Sequence, residues 1–138
     1  RMLDMGVEDY LLTSTVNAIM AQRLVRRLDP DTRQPFRVLP EMVEELGLRE
    51  LTDADPITLY RPGTSDANPN GYIGRLSIIE LLIMSDEIRR LVMKQATAGE
   101  LERQARAEGM RTMYQDGMLK ALQGLTSPEE VLRVTQEA

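Results

Sequence analysis

The chain has 138 residues, with 17 basic and 22 acidic side chains and a net charge of −5. This acidic balance, together with an aromatic content of 4%, argues against a general nucleic-acid binder, which uses basic surfaces and aromatic stacking platforms. Because Cys and His are both absent, disulfides, zinc–thiolate sites and histidine acid–base catalysis are excluded.

The sequence contains neither a signal peptide nor an apolar run long enough to span a membrane, so we expect a cytoplasmic protein. It begins at Arg1 rather than at a natural initiator. We therefore expect a fragment of a longer protein.

The opening segment has the apolar spacing of an amphipathic helix. Between Val7 and Met20, apolar residues recur about every four positions, which predicts a single buried helical face. The following stretch, Ala21–Leu28, mixes apolar residues with three arginines, so it either extends this helix or forms a short strand. Asp29-Pro30 ends the element that precedes it.

Arginines in and beyond this stretch are the candidate functional residues. Guanidinium groups suit ionic contacts between subunits and with phosphates. We predict a candidate subunit interface formed by Arg23, Arg26, Arg27 and Arg75. The alternative for each arginine is a solvated position or a local salt bridge with one of the many carboxylates nearby.

Residues 29–70 are the least regular part of the sequence and hold six of the seven prolines. One short helix is predicted from Pro40, which suits the first helical position, to Gly47, which suits the residue after the helix. Leu59–Arg61 is predicted as a brief strand. The segment from Thr64 to Gly71 is predicted as a turn-rich loop.

A central run follows, opened by Gly71-Tyr-Ile-Gly-Arg75 and almost wholly apolar from Leu76 to Met84. Its richness in Ile and Leu, and the turn residues that bound it, predict a strand buried on both faces. A core helix is the alternative. The run is too short to cross a membrane, so both alternatives are elements of a protein core.

The C-terminal third consists of helix signals. Gly109 and Gly124 suit helix ends, and the helix starts are marked by the N-cap residues Ser85, Thr97, Thr112 and Ser127. Since the connections are short, we predict a compact bundle of short helices over residues 85–138. The expected fold class is α+β, mostly α.

No catalytic constellation is present in the sequence. It lacks a phosphate-binding loop, in which two glycines with four residues between them precede a lysine and a serine or threonine. A Ser–His–Asp set is impossible without His. Adjacent carboxylates such as Glu44/Glu45 and Glu129/Glu130 lie where exposed faces and helix N-termini explain them. These residues predict an interaction or assembly module without an active site of its own.

Short motifs follow one another along the chain: Leu3-Asp-Met-Gly-Val-Glu8, Ala21–Leu28, Gly71-Tyr-x-Gly-Arg75 with Glu80-Leu81, Glu108-Gly-Met-Arg-Thr112, Asp116-Gly117 and Gly124-x-Thr-Ser-x-Glu-Glu-Val131. In this order they resemble the C-terminal end of the hexameric traffic ATPases of bacterial type II secretion and type IV pilus assembly. The resemblance covers nearly the whole chain and favours type II secretion modestly over pilus assembly.

The resemblance implies a cytoplasmic parent ATPase with a RecA-like core, which uses ATP and Mg. Its Walker A, aspartate-rich, Walker B and histidine-containing motifs would lie upstream of Arg1. Residues 1–28 would be the tail of that core, 29–71 an insert, 72–84 a strand rejoining the core and 85–138 a helical subdomain. The chain itself would then neither hydrolyse ATP nor bind it well.

In this family the insert is usually a zinc module with two CxxC pairs. The corresponding positions here are Asp29 and Thr32 for the first pair and approximately Thr64 and Ala67 for the second. A tetrahedral zinc site with four thiolate ligands cannot form, because all four cysteines are missing. We therefore expect no zinc, and an irregular insert that is smaller or less ordered than the usual module.

The resemblance implies a role in subunit assembly and in passing nucleotide-driven motion to the inner-membrane secretion platform. The expected partners are the other subunits of a homohexamer and the platform proteins, and no nucleic acid. The alternative is a free-standing adaptor that holds a partner helix in a groove of soft methionine side chains. Met110, Met113 and Met118 would form that groove, although their spacing fits core packing equally well.

Overall fold

The computed structural model describes residues 16–136 of the chain. These residues form four strands and five helices, with one 3-10 turn at Leu48–Glu50. The elements, in chain order, are β1 (Ala18–Leu28), β2 (Gln34–Arg37), α1 (Pro40–Leu46), β3 (Thr58–Arg61), β4 (Tyr72–Ile83), α2 (Asp86–Met93), α3 (Ala98–Ala107), α4 (Met113–Leu122) and α5 (Pro128–Thr135).

The strands form two separate sheets of two strands each. In one sheet β1 is hydrogen-bonded to β4. In the other, β2 and β3 pair antiparallel, with Gln34 opposite Arg61 and Arg37 opposite Thr58. The expected α+β class is therefore confirmed, although strands contribute more than a mostly α fold implies.

The chain divides into two compact units. The first contains the described residues up to Ala21 together with Glu80–Thr112. Its helices α2 and α3 pack on each other, and its core consists of Met84, Ile88, Val92 and Ala105. The N-caps predicted for these helices are confirmed, because Ser85 Oγ accepts from Ile88 N and Thr97 Oγ1 accepts from Glu100 N, both at 3.2 Å.

The second unit contains Gln22–Ile79 and Met113–Ala138. Its helices α4 and α5 pack on each other. Its main core joins side chains from the insert to side chains from these helices, namely Val38, Leu48, Ile57, Leu59, Met118, Ala121 and Val131. A smaller cluster contains Val25, Ile78 and Val134.

The helices predicted over residues 85–138 fall in both units, and their packing into one bundle stays a prediction. The helix pair α2 and α3 belongs to the first unit, and α4 and α5 belong to the second. Capping signals locate each helix start, but they carry no information about which surface the helix covers. The predicted division of the chain at residues 28, 71 and 84 stays a prediction.

The helix predicted over Val7–Met20 is wrong where the structure describes it, because Ala18–Met20 already belongs to strand β1. The remainder, up to Thr15, lies outside the described residues. Of the two alternatives for Ala21–Leu28, the strand is correct. Pairing with β4 supplies the backbone hydrogen bonds that decide between these alternatives.

The central run is a strand, as predicted, but it is not buried on both faces. Ile78 is fully buried, whereas Ile73 and Ile83 are 58% and 56% exposed. A strand with one neighbour in a two-stranded sheet buries alternate residues more readily than all of them. The apolar composition of β4 therefore predicted more burial than the strand has.

The insert is more regular than predicted. Helix α1 and strand β3 confirm two expectations, and Gly47 follows α1 with a φ of 68° in the left-handed region. Strand β2 was missed, because Gln-Pro-Phe-Arg is short and contains a proline. The insert also supplies four side chains to the main core of the second unit, so it is not a less ordered excursion.

None of the helices between residues 16 and 136 combines the length and the apolarity that crossing a membrane requires.

Candidate functional site

The four arginines predicted as interface residues lie in two kinds of environment. Arg23 and Arg27 on β1 and Arg75 on β4 are exposed. Among residues 16–136, none of these three side chains takes part in a hydrogen bond, an ion pair or a ring contact. Arg26 differs, because a carboxylate and an aromatic ring of the same unit hold its guanidinium group.

Glu130 on α5 is the centre of a charged cluster, although its side chain is only 2% exposed. Its Oε1 accepts from the backbone N–H of Arg26 at 2.7 Å and from Arg133 Nη2 at 3.0 Å. Its Oε2 accepts from Arg26 Nη2 and Arg133 Nε, both at 3.0 Å. We call Arg26, Glu130 and Arg133 the Glu130 cluster.

The start of α5 explains why Glu130 is buried. Ser127 is the N-cap and Pro128 opens the helix, as predicted. Glu130 then lies one helical turn before Val134, on the face that buries Val131. Glu129 and Glu130 both lie in the first turn of α5, as the predicted helix start implies, and Glu129 is exposed whereas Glu130 is buried. That spacing was the signal that sequence reasoning missed.

The ionisation of Glu130 follows from its partners. Burial raises the pKa of the carboxyl group, because the charged form loses water. The hydrogen bonds that Arg133 and Arg26 donate outweigh burial and lower the pKa from 4.5 to about 2. The carboxylate is therefore charged in the folded protein throughout the neutral range, and its charge stabilises the fold.

This pKa predicts an acid-dependent loss of stability. A carboxyl group whose folded pKa lies below its unfolded value stabilises the protein above the unfolded pKa and loses that effect as the pH falls towards the folded pKa. For Glu130 the window runs from 4.5 down to about 2. We expect the stability advantage of the protein over its Glu130→Gln variant to shrink by about 3 kcal/mol between about pH 5 and pH 2.

Urea unfolding of both proteins at a series of pH values measures this difference directly. The comparison with Glu130→Gln cancels the titration of the other carboxyl groups. Parallel pH profiles of the two proteins would contradict the assignment of a depressed pKa to Glu130.

Further contacts hold the end of β1 and the start of β4 to the loop before α5. The Arg26 guanidinium lies 4.2 Å from the centre of the Tyr72 ring, and the hydroxyl groups of Tyr72 and Ser127 are 2.7 Å apart. Thr126 Oγ1 donates to the carbonyl oxygen of Arg26 at 2.7 Å. Burial raises the pKa of the Tyr72 hydroxyl, so this group stays protonated. Arg26 is thus part of the internal framework of its unit.

Asp116, from the Asp116-Gly117 motif, holds helix α4 against strand β4. The sequence alone did not predict this role. The Asp116 side chain is buried on α4 and its Oδ2 accepts from Ile79 N and from Lys120 Nζ, both at 2.9 Å. Lys120 Nζ also donates to the carbonyl oxygen of Ser77 at 2.7 Å. Together Asp116 and Lys120 satisfy backbone groups of β4, so α4 is tied to that strand.

The residues at the zinc-module positions do not fit a zinc ion. Asp29 is 9% exposed, and its Oδ1 and Oδ2 accept from Asp31 N and Asn68 Nδ2, each at 3.0 Å. Thr64 and Ala67 are exposed, and an alanine side chain has no ligand atom. Within residues 16–136, no group of three or more His, Cys, Asp or Glu side chains is placed to hold a metal ion.

The methionines proposed for an adaptor groove pack in the cores of their own units. Met118 is fully buried in the main core of the second unit. Met113 packs against the smaller cluster of that unit, and Met110 packs against the core of the first unit. The groove hypothesis is therefore wrong, and these side chains are core-packing residues.

Comparison with known proteins connects these features to a family. Residues 1–133 match the family described as type II/IV secretion system protein. The chain is 56% identical over its full length to type II secretion system protein E of Xanthomonas campestris pv. campestris, of which it covers 24%. It is 39% identical over 142 aligned residues to type II secretion system ATPase E of Vibrio cholerae, covering 100% of this chain and 27% of that protein.

A pilus-assembly protein also matches. The chain is 38% identical over 138 aligned residues to the type IV pilus assembly ATPase PilB of Thermus thermophilus, covering 99% of this chain and 15% of that protein. The chain thus spans about a quarter or less of the length of these relatives. The family resemblance expected from the ordered motifs is confirmed.

Proposed function

Because this chain belongs to the type II/IV secretion system protein family, we propose that it is the non-catalytic C-terminal region of a hexameric secretion ATPase. In this proposal it holds neighbouring subunits together and transmits nucleotide-driven motion. An identity of 56% with a type II secretion protein E, against 38% with a pilus assembly ATPase, favours type II protein secretion as the process it serves.

The proposal assigns ATP chemistry to another part of a longer protein. Two of the relatives are named as ATPases, and this chain covers 27% and 15% of them. ATP and Mg would bind in a RecA-like core outside this chain, to which β1 and β4 contribute strands. The exposed Leu81 and Ile83 on β4, at 44% and 56%, suit a strand that the remainder of such a core covers.

One observation carries the assembly role. Arg23, Arg27 and Arg75 are exposed, and none of them has a hydrogen-bonding or ionic partner among residues 16–136. Arg26 and Arg133, in contrast, are committed to Glu130. Arginines without partners among the described residues are available for carboxylates of a neighbouring subunit, to which the planar guanidinium donates bidentate hydrogen bonds.

Single alanine substitutions of Arg23, Arg27 and Arg75 in the full-length ATPase test this role. We expect each to weaken hexamer assembly, by about tenfold in the dissociation constant if a pair worth about 1.4 kcal/mol is lost. The ATPase rate is expected to fall with assembly, because the mechanical coupling runs through the same contacts. Light scattering and phosphate release measure the two quantities.

Arg103→Ala is the matched control, since Arg103 is exposed on α3 and lies outside the candidate set. Arg26 is not a suitable test residue, because its replacement removes contacts inside its own unit. Unchanged assembly and an unchanged ATPase rate in all three variants would refute the assigned interface.

In the cell, we place this region in the cytoplasm, peripheral to the inner membrane through contacts with platform proteins of the secretion system. The net charge of −5 does not suit direct adsorption to an anionic membrane surface. Attachment would therefore be made through protein partners.

A further inference from the structure

Two turns meet at the base of the insert, where the chain leaves β1 and where it enters β4. The first turn follows Leu28, and the carbonyl oxygen of Asp29 accepts from Thr32 N and Arg33 N. The second turn precedes Tyr72 and is closed by hydrogen bonds between Ser65 and Asn68 in both directions. The expected positions of both CxxC pairs, Asp29 with Thr32 and Thr64 with Ala67, lie in these turns or directly beside them.

Direct hydrogen bonds join the two turns. Asn68 Nδ2 donates to Asp29 Oδ2 at 3.0 Å and to the carbonyl oxygen of Tyr72 at 2.9 Å. The backbone N–H of Asp29 donates to the carbonyl oxygen of Gly71 at 3.0 Å. Both partners of Asn68 Nδ2 are acceptors, which settles the orientation of its amide group. Asn68 therefore links the first turn, the second turn and the start of β4.

Backbone segments at the base of the insert also approach too closely for side chains to stand between them. A Cβ atom on Gly63 would lie 1.8 Å from the carbonyl oxygen of Thr32. A Cβ atom on Gly71, whose φ is +76°, would lie 2.3 Å from the carbonyl oxygen of Gly63. These contacts are direct backbone packing, and Thr32 Oγ1 adds a hydrogen bond to the Gly63 carbonyl at 3.4 Å.

We infer that the Asp29–Asn68 hydrogen bond closes the base of the insert in the place where the family's usual module uses zinc, and that this protein holds the insert without a metal ion. The carboxylate of Asp29 is an acceptor with both oxygens occupied by N–H donors. A hydrogen bond to a charged, largely buried acceptor is among the stronger kinds. It links residues 39 positions apart in the chain, and a metal ion bound at both turns would join the same two parts of the chain.

The test compares Asn68→Asp with Asn70→Asp in the purified protein. Both variants add one negative charge to the same loop, but Asn70 is exposed and makes no side-chain hydrogen bond within the described residues. Asn68→Asp removes the donor and sets a second carboxylate against Asp29. We expect Asn68→Asp to lower the Tm by about 5 °C or more relative to Asn70→Asp.

Metal dependence is measured on the unmodified protein by elemental mass spectrometry and by melting with and without 1,10-phenanthroline. We expect substoichiometric zinc and the same Tm in both melts. Stoichiometric zinc that the chelator removes with a fall in Tm would overturn the inference, as would equal Tm values for Asn68→Asp and Asn70→Asp. If Asn68→Asp does not fold, Asn68→Ala is compared with Asn70→Ala, with the same two readings.

Discussion

Replacing Glu130 with alanine is expected to lower the free energy of unfolding by about 3 kcal/mol and the Tm by about 10 °C. The substitution removes the acceptor of four hydrogen bonds, three from guanidinium groups and one from the Arg26 backbone. It also leaves a void beside Val131, which is fully buried.

The expected loss of unfolding free energy is smaller than the sum of four hydrogen bonds to a charged acceptor, each worth roughly 1.5–3 kcal/mol. Alanine no longer bears the desolvation cost of a buried carboxylate. In addition, the Arg26 and Arg133 side chains are 51% and 48% exposed, so water replaces part of what they lose. The backbone N–H of Arg26 is the group that the substitution leaves without its partner.

Glu129→Ala is the matched control, because Glu129 is the preceding residue of the same helix and is exposed. We expect this variant to stay within about 0.5 kcal/mol of the unmodified protein. Chemical unfolding of both variants near neutral pH measures the contrast. Equal stabilities would show that the Glu130 cluster adds nothing beyond an ordinary helix N-terminus.

The second large effect is expected at Gly63. Its replacement by alanine would place a Cβ atom 1.8 Å from the carbonyl oxygen and 2.8 Å from the carbonyl carbon of Thr32. Both are backbone atoms, so no rotamer change relieves the conflict, and the backbone at Gly63 must move away from Thr32. We expect a loss of at least about 3 kcal/mol of unfolding free energy, at the upper end of what overpacking costs.

Gly99→Ala controls for the loss of glycine itself. An added Cβ at Gly99 meets no closer atom than Thr97 Oγ1 at 3.9 Å, and the residue lies in the first turn of α3. We expect this variant to be stabilised by about 0.5 kcal/mol, since alanine restricts the unfolded chain. Urea titration of the two variants gives the comparison. A Gly63→Ala protein within about 1 kcal/mol of the original would mean that the backbones at Gly63 and Thr32 are not in contact.

Local chemistry made several elements predictable. The N-caps at Ser85, Thr97 and Ser127 were identified correctly, because a side-chain oxygen caps an N–H only three residues away. Helix α1 was equally readable, from a proline at its start to a glycine after its end. None of these signals requires knowledge of the rest of the chain.

The errors arose where distant residues decide the outcome. The segment that includes Ala18–Met20 has a helical apolar spacing, yet it pairs with β4, which begins at Tyr72. Strand pairing supplies hydrogen bonds that the local pattern does not reveal. The candidate interface also depended on distant residues. The sequence grouped four arginines, and only the structure shows that, among the described residues, Arg26 has partners in its own unit, unlike Arg23, Arg27 and Arg75.

The sequence by itself determined the family, the helix starts and the exclusion of disulfide, thiolate and histidine chemistry, because each depends on residue identity or on spacings of a few residues. Only the tertiary structure decided that Glu130 is buried between two arginines and that Asn68 bridges to Asp29. These contacts join residues 104 and 39 positions apart. Burial and hydrogen-bond partners at such separations depend on how the whole chain packs, since a side chain's environment is set by the elements that cover it.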